Sequence, residues 1–194
     1  MRALALLALV LATPAVAAPV TIAVVGPDGK PLVGAVVQLQ TPRAPAAASA
    51  FAGPFVVQQK DISFQPHLTI VPVGATVSFP NRDKVRHHVY SFSQPKKFEL
   101  KLYGREEARS VTFDRPGIVA LGCNIHDTMS GFVVVVDTPY AAETDARGRV
   151  TFDVAPGTAR VSVWHPSIRA PGNTLAQPAT VGAQGLATTL TVRR

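Results

Sequence analysis

The run Gly117-Ile118-Val119-Ala120-Leu121-Gly122-Cys123-Asn124-Ile125-His126-Asp127-Thr128-Met129-Ser130-Gly131-Phe132-Val133-Val134-Val135-Val136 sets two strand-like apolar stretches on either side of a short polar loop. The first stretch ends at Cys123. The second, Gly131 to Val136, is continuously apolar and of strand length, the pattern of a strand buried on both faces. Between them Cys123, His126 and Met129 follow one another at three-residue steps, which puts a thiolate, an imidazole and a thioether on one loop. That is a soft-metal donor set. Apart from Met1, which would leave with a leader, the chain has no other Cys or Met. An unpaired thiol in an exported protein calls for a specific role such as metal ligation.

A second source of imidazole lies upstream in Asn81-Arg82-Asp83-Lys84-Val85-Arg86-His87-His88-Val89. Strand alternation sends neighbouring side chains to opposite faces, so only one of His87 and His88 can point at the Cys loop. With one of them, Cys123, His126 and Met129 complete the donors of a blue copper site: two His and one Cys in a plane, with a weak axial Met. Such a site holds one copper per chain, cycling between Cu(I) and Cu(II).

Residues 1–18 have the pattern of a cleavable export signal. Arg2 supplies the charge, Ala3 to Ala12 an apolar core too short to span a bilayer, and Thr13 to Ala17 a small-residue cleavage region. The mature chain is therefore expected in the periplasm, with no membrane-spanning segment. A formal charge of +7 is spread along the chain without stacked aromatics, which argues against nucleic acid as a partner. Frequent Pro and Gly, with Val and Thr in short alternating runs, predict an all-β protein.

Strands are predicted at Val20–Val25 and Gly34–Leu39, joined as a hairpin by the Gly26–Leu32 turn. An Ala/Pro-rich stretch follows from Thr41 to Pro54, of which residues 46–54 read as a linker. Further strands are predicted at Val56–Ser63, Leu68–Val71, Thr76–Phe79, Val89–Phe92, Ser110–Phe113 and Ile118–Gly122. The polar excursion Gln94–Arg109 is expected to bury Phe98, Leu100, Leu102 and Tyr103. His67 and His165 read as loop or strand-end residues, and Trp164 as core.

Residues 55–137 resemble a cupredoxin, the Greek-key β-sandwich family of plastocyanin, pseudoazurin and amicyanin, and in particular the plastocyanin-like proteins of methylamine utilisation. The resemblance rests on Phe64-Gln65-Pro66, Gly74-Ala75-Thr76-Val77-Ser78-Phe79, Asn81-x-Asp83, Phe113-x-x-Pro116-Gly117 and Cys123-x-x-His126-x-x-Met129. It implies His87, Cys123, His126 and Met129 as copper ligands, with Asn81, Asp83, His88 and Asn124 around them. The family's first ligand is normally followed by Asn, and here His88 stands in that place.

The flanks, residues 19–45 and 138–194, resemble the two halves of a carboxypeptidase-regulatory-like, transthyretin-related sandwich. The cupredoxin segment is then either inserted in this second sandwich or in tandem with it. The flanks' resemblance implies a packing or docking role, whereas the cupredoxin resemblance of residues 55–137 implies a periplasmic one-electron carrier, not an enzyme, serving a redox partner such as a dehydrogenase, cytochrome or oxidase. Copper storage or delivery is the alternative, and a structural sandwich with a vestigial site a third reading. A copper nitrite reductase would need a second copper site with further histidines.

Overall fold

The computed structural model describes residues 16–194. Most of the leader expected over residues 1–18 thus lies outside the described residues, and Ala18, with its side chain buried, opens the first strand, Ala18–Val25. The expected all-β class is met. Among the described residues the helices are two single 3-10 turns, Ala47–Ser49 and Pro171–Asn173.

Two β-sandwiches share one wall of packing. In the first, a five-stranded sheet runs Leu68–Pro72, Ser130–Val136, Gly117–Gly122, His87–Ser91 and Phe98–Tyr103 in spatial order. It faces a three-stranded sheet of Ala108–Phe113, Ala75–Pro80 and Phe55–Val56. Val77, Phe79, Val111 and Phe113 from the small sheet meet Val89, Val119, Leu121, Val133 and Val135 from the large one, and Cys123 and Met129 belong to the same core. The alternation of each strand supplies these residues to a single face.

The second sandwich joins the two ends of the chain. Ala18–Val25 lies between Arg149–Val154, antiparallel, and Leu186–Thr191, parallel. The opposite sheet runs Ala141–Glu143, Val36–Gln40, Gly157–Trp164 and Thr174–Val181. Val20, Ile22 and Val24 pack on Val37, Leu39, Val161 and Val163 between the sheets.

The expected N-terminal hairpin is corrected by this arrangement. Ala18–Val25 and Val36–Gln40 enter different sheets, so the Gly26–Leu32 turn is an arch over a core and not a hairpin loop. Each strand has longer partners elsewhere: six residue pairs with each neighbour for Ala18–Val25, and five with Gly157–Trp164 for Val36–Gln40. Pairing the two with one another would place their apolar faces side by side instead of face to face.

Two further expectations give way to local geometry. The single strand Val56–Ser63 is broken into Gln58–Lys60 and Ser63–Gln65 by a turn at Asp61-Ile62. The excursion Gln94–Arg109 contains a full strand, Phe98–Tyr103, and Leu102 is 39% exposed against the expected burial. A bulge accounts for this: Val89 pairs with Leu100 but His87 with Tyr103, so two residues oppose His88 alone. The extra residue reverses the alternation, and Tyr103 takes the inward position instead of Leu102.

The wall between the sandwiches is the outer face of the five-stranded sheet. Val134 and Val136 meet Val36, Ala141 and Trp164 there, with Leu68, Ile70, Ile118, Phe132 and Phe51 packed around them. The continuous apolar run of Ser130–Val136 is thereby explained: Val133 and Val135 serve one core, Val134 and Val136 the other. The Phe132 and Trp164 rings meet edge to face at 4.9 Å. At the neck, Gln40 Nε2 donates to Asp137 Oδ1 at 3.1 Å and the Thr138 hydroxyl to Leu39 O at 2.6 Å. Trp164→Ala is expected to lower stability by about 3–5 kcal/mol, measured by urea unfolding followed by circular dichroism, because it empties the junction on which both sandwiches pack.

Candidate metal centre

The site forms where two neighbouring strands of the five-stranded sheet end. Cys123 follows Gly117–Gly122, and His87 begins His87–Ser91. Gly122 pairs with Tyr90, whose ring lies against it, and a Cβ at Gly122 would sit 2.7 Å from that ring. Glycine before Cys123 therefore lets the strands close. Alternation along His87–Ser91 turns His87 and Val89 toward the core between the sheets and His88, itself buried, to the other face.

His87, Cys123 and His126 each offer one ligand atom, and these atoms lie within 4.8 Å of one another. His87 is fully buried, with Nδ1 3.9 Å from Cys123 Sγ. The His87 and His126 rings stand 5.1 Å apart at 60°. His126 Nδ1 is buried and has no hydrogen-bond partner. An orphaned buried nitrogen costs free energy unless something binds it. Two imidazole nitrogens and a thiolate around one point suit copper, so the residues present fit that metal. Met129 is 2% exposed within the core that holds Cys123, and its amide donates to His126 O at 2.9 Å, closing the loop into a turn.

Carboxylates partner both histidines of the His87-His88 pair, in different places. Asp83 Oδ2 lies 2.7 Å from His87 Nε2, and the same carboxylate accepts the amides of Asp61 at 2.7 Å and Ile62 at 3.0 Å. Burial works to raise the Asp83 pKa, but these hydrogen bonds outweigh it and hold the carboxyl below the ordinary range. Asn81, fully buried, accepts the Asp83 amide at 2.8 Å and donates to Val85 O at 2.8 Å and Tyr103 O at 3.1 Å. His88 instead reaches Glu99 at 2.9 Å, with its ring 5.7 Å from Tyr90. Asn124 is exposed, and His67 and His165 lie outside the cluster.

Three residues play supporting roles that sequence reasoning does not find. The amides of Asp61 and Ile62 act through their backbone, and although Asp tolerates the left-handed region, the Ile beside it argues against a turn there. Tyr103 is expected in the core and lies there, but its hydroxyl does more than fill space. It donates to Phe79 O at 2.8 Å and accepts from Gln59 Nε2, tying the two sheets together beneath the site.

No family model and no curated protein matches the chain. Among solved structures it is similar to a mutant amicyanin in its reduced state, at 30% identity over 51% of this chain and 99% of that one, with a TM-score of 0.40. It is similar also to a copper-containing nitrite reductase from Thermus scotoductus SA-01, at 30% identity over 50% of this chain and 27% of that one, with a TM-score of 0.42. A purple cupredoxin from Nitrosopumilus maritimus matches at 21% identity over 43% of this chain and all of that one, with a TM-score of 0.39.

Burial pushes the Tyr103 phenol up to about 12. The unfolded chain releases that proton near pH 10. Between these values the folded state binds more protons, so stability falls as pH rises through this window. Tyr103→Phe should flatten that alkaline decline, seen as a shallower loss of thermal midpoint between pH 10 and about 12.

Proposed function

We propose that the chain is a periplasmic type 1 copper protein acting as a one-electron carrier, with His87, Cys123 and His126 as close ligands and Met129 as a weak fourth. The convergence of His87, Cys123 and His126, with a partnerless buried nitrogen on His126, carries this reading. Bound copper would supply the redox couple, since a trigonal plane of these donors suits both of its oxidation states.

The chain's own part is to keep the donors still. His87 is packed in the core at a strand start, and Cys123 and Met129 are buried at the two ends of a short loop that Met129 closes on His126. A scaffold that fixes ligands before metal arrives leaves little to reorganise when an electron moves. His126 is half-buried and its neighbour Ile125 is 51% exposed, which makes this edge the place where a dehydrogenase, cytochrome or oxidase would dock. His88, turned toward Glu99, does not stand ready to assist metal exchange, which favours relay over storage or delivery. A relay needs one such cluster, so the proposal is for a carrier and not an enzyme.

Residues 19–45 and 138–194 are proposed as one discontinuous, carboxypeptidase-regulatory-like sandwich, with 46–54 a linker and 55–137 the cupredoxin domain inserted in it. The pairing of Ala18–Val25 with Arg149–Val154 and Leu186–Thr191 supports that division. Residues 1–18 would direct export to the periplasm.

Titration of residues 18–194 with Cu(II) tests the function. The expected result is an intense blue band with narrow copper hyperfine splitting at one equivalent, lost in Cys123→Ser. Met129→Leu should keep copper bound and shift the potential. Absence of stoichiometric copper, or recovery of colourless Cu(I) alone, would overturn the carrier reading.

A further inference from the structure

The turn that breaks the expected strand Val56–Ser63 has an unusual backbone. Lys60 pairs with Ser63 across it, and both central residues, Asp61 at φ 54° and Ile62 at φ 53°, lie in the left-handed region. Turns of this kind favour Asn-Gly. A β-branched residue at positive φ is an outlier, and such strain persists only where its surroundings impose it. Ile62 is 46% exposed and gains little packing there, and the one bond within the turn, from the Ser63 hydroxyl to Lys60 O at 2.7 Å, joins its ends and leaves the two central amides to other partners.

The explanation lies across the sheet edge. With both residues left-handed, the successive amides of Asp61 and Ile62 point at one place, forming a small anion-binding concavity. The Asp83 carboxylate fills it, with Oδ1 on the Asp61 amide and Oδ2 on the Ile62 amide. The same Oδ2 faces His87 Nε2 at 2.7 Å. An ionised carboxylate only accepts hydrogen bonds, so Nε2 must carry the proton. In the neutral ring Nδ1 is then bare, and Nδ1 is the atom that faces Cys123.

We infer that the Asp61-Ile62 turn is a working part of the metal centre, positioning Asp83 so that His87 is locked in the tautomer whose bare Nδ1 faces Cys123, where a metal would be held. Asp83 and the two amides are positioning groups that act through His87. The strained turn is the fixed end of this chain of contacts, and the ligand atom is its free end. A carboxylate behind an imidazole also makes the ring a better donor, favouring the more highly charged metal state. Asn cannot replace Asp83, because it has a single acceptor oxygen for two amides and an imidazole N–H.

The inference rests on the copper reading only in its metal arm, and the test separates the two. In metal-free protein with 15N-labelled histidine, two-bond proton–nitrogen correlations report the His87 tautomer directly. The expected result is a protonated Nε2 and a bare Nδ1 in the wild type, and loss or mixing of that tautomer in Asp83→Asn. With copper, Asp83→Asn should bind Cu(II) ~10–100-fold more weakly and show a raised reduction potential. Ile62→Gly keeps both amides and relieves the strain, so it should raise the thermal midpoint. Added to Asp83→Asn, it should recover stability but neither tautomer nor affinity, which a merely structural tie would not predict.

A wild-type ring protonated at Nδ1 would overturn the inference without any variant, as would Asp83→Asn with unaltered tautomer and affinity. If the wild type has the expected tautomer but binds no copper, the copper function falls and the positioning role stands.

Discussion

The strand Ser130–Val136 is buried on both faces, and the rest of the molecule is arranged around that constraint. Its odd-numbered valines, Val133 and Val135, fill the core that contains Cys123 and Met129. Its even-numbered ones, Val134 and Val136, press on Val36, Ala141 and Trp164 of the neighbouring sandwich. A strand with no solvent face cannot slip by one residue without exchanging the two cores' side chains, although both sets are valine. What fixes its register is the ladder on each side: Val133 opposite Val119 and beside Thr69, and Val135 opposite Gly117 and beside Val71. Because Met129 immediately precedes this strand, the position of the loop is inherited from that register.

The loop's chemistry is legible in the sequence because it is local. Cys123, His126 and Met129 lie within one turn-sized segment, and the apolar runs on either side fix its setting without knowledge of the fold. The two-sided burial of the valine run is legible for the same reason. The choice between His87 and His88 is half legible: parity says that one points inward, and the strand's placement decides that His87 does. What could not be read depends on contacts far apart in sequence. The bulge that brings Tyr103 inward in place of Leu102 arises from pairing with His87, and no pattern within Phe98–Tyr103 marks it. The turn at Asp61-Ile62 hides in a stretch whose composition suits a strand, because the group that satisfies its amides is the Asp83 carboxylate, 22 residues away. Likewise the arch after Val25 looks like a hairpin until strands from the far end of the chain claim both of its arms.

The polar groups around His87 form a graded series. Asn81 orients Asp83 and caps the turn that carries it, Asp83 fixes the ring, and the ring presents one nitrogen inward. Each member is buried or nearly so, where an unmet hydrogen bond is costly and a met one is rigid. His88 shows what the neighbouring position becomes without such support: its Nε2 is held by a carboxylate that is 56% exposed, and its Nδ1 has no partner. Adjacent imidazoles thus face different environments, and only one is backed by a fixed frame.

The two hydrogen bonds at the neck, Gln40 to Asp137 and Thr138 to Leu39, bear on the order in which the chain folds. Strands at the beginning of the chain pair with strands at its end, which is a slow, non-local kind of contact. Closing a flexible loop of roughly a hundred residues between Gln40 and Asp137 would cost about 4 kcal/mol of chain entropy. A segment that folds by itself and brings its own two ends together removes most of that cost beforehand. A sandwich between them that folds first would act as a staple, with the outer sandwich assembling on a chain whose distant halves have already met.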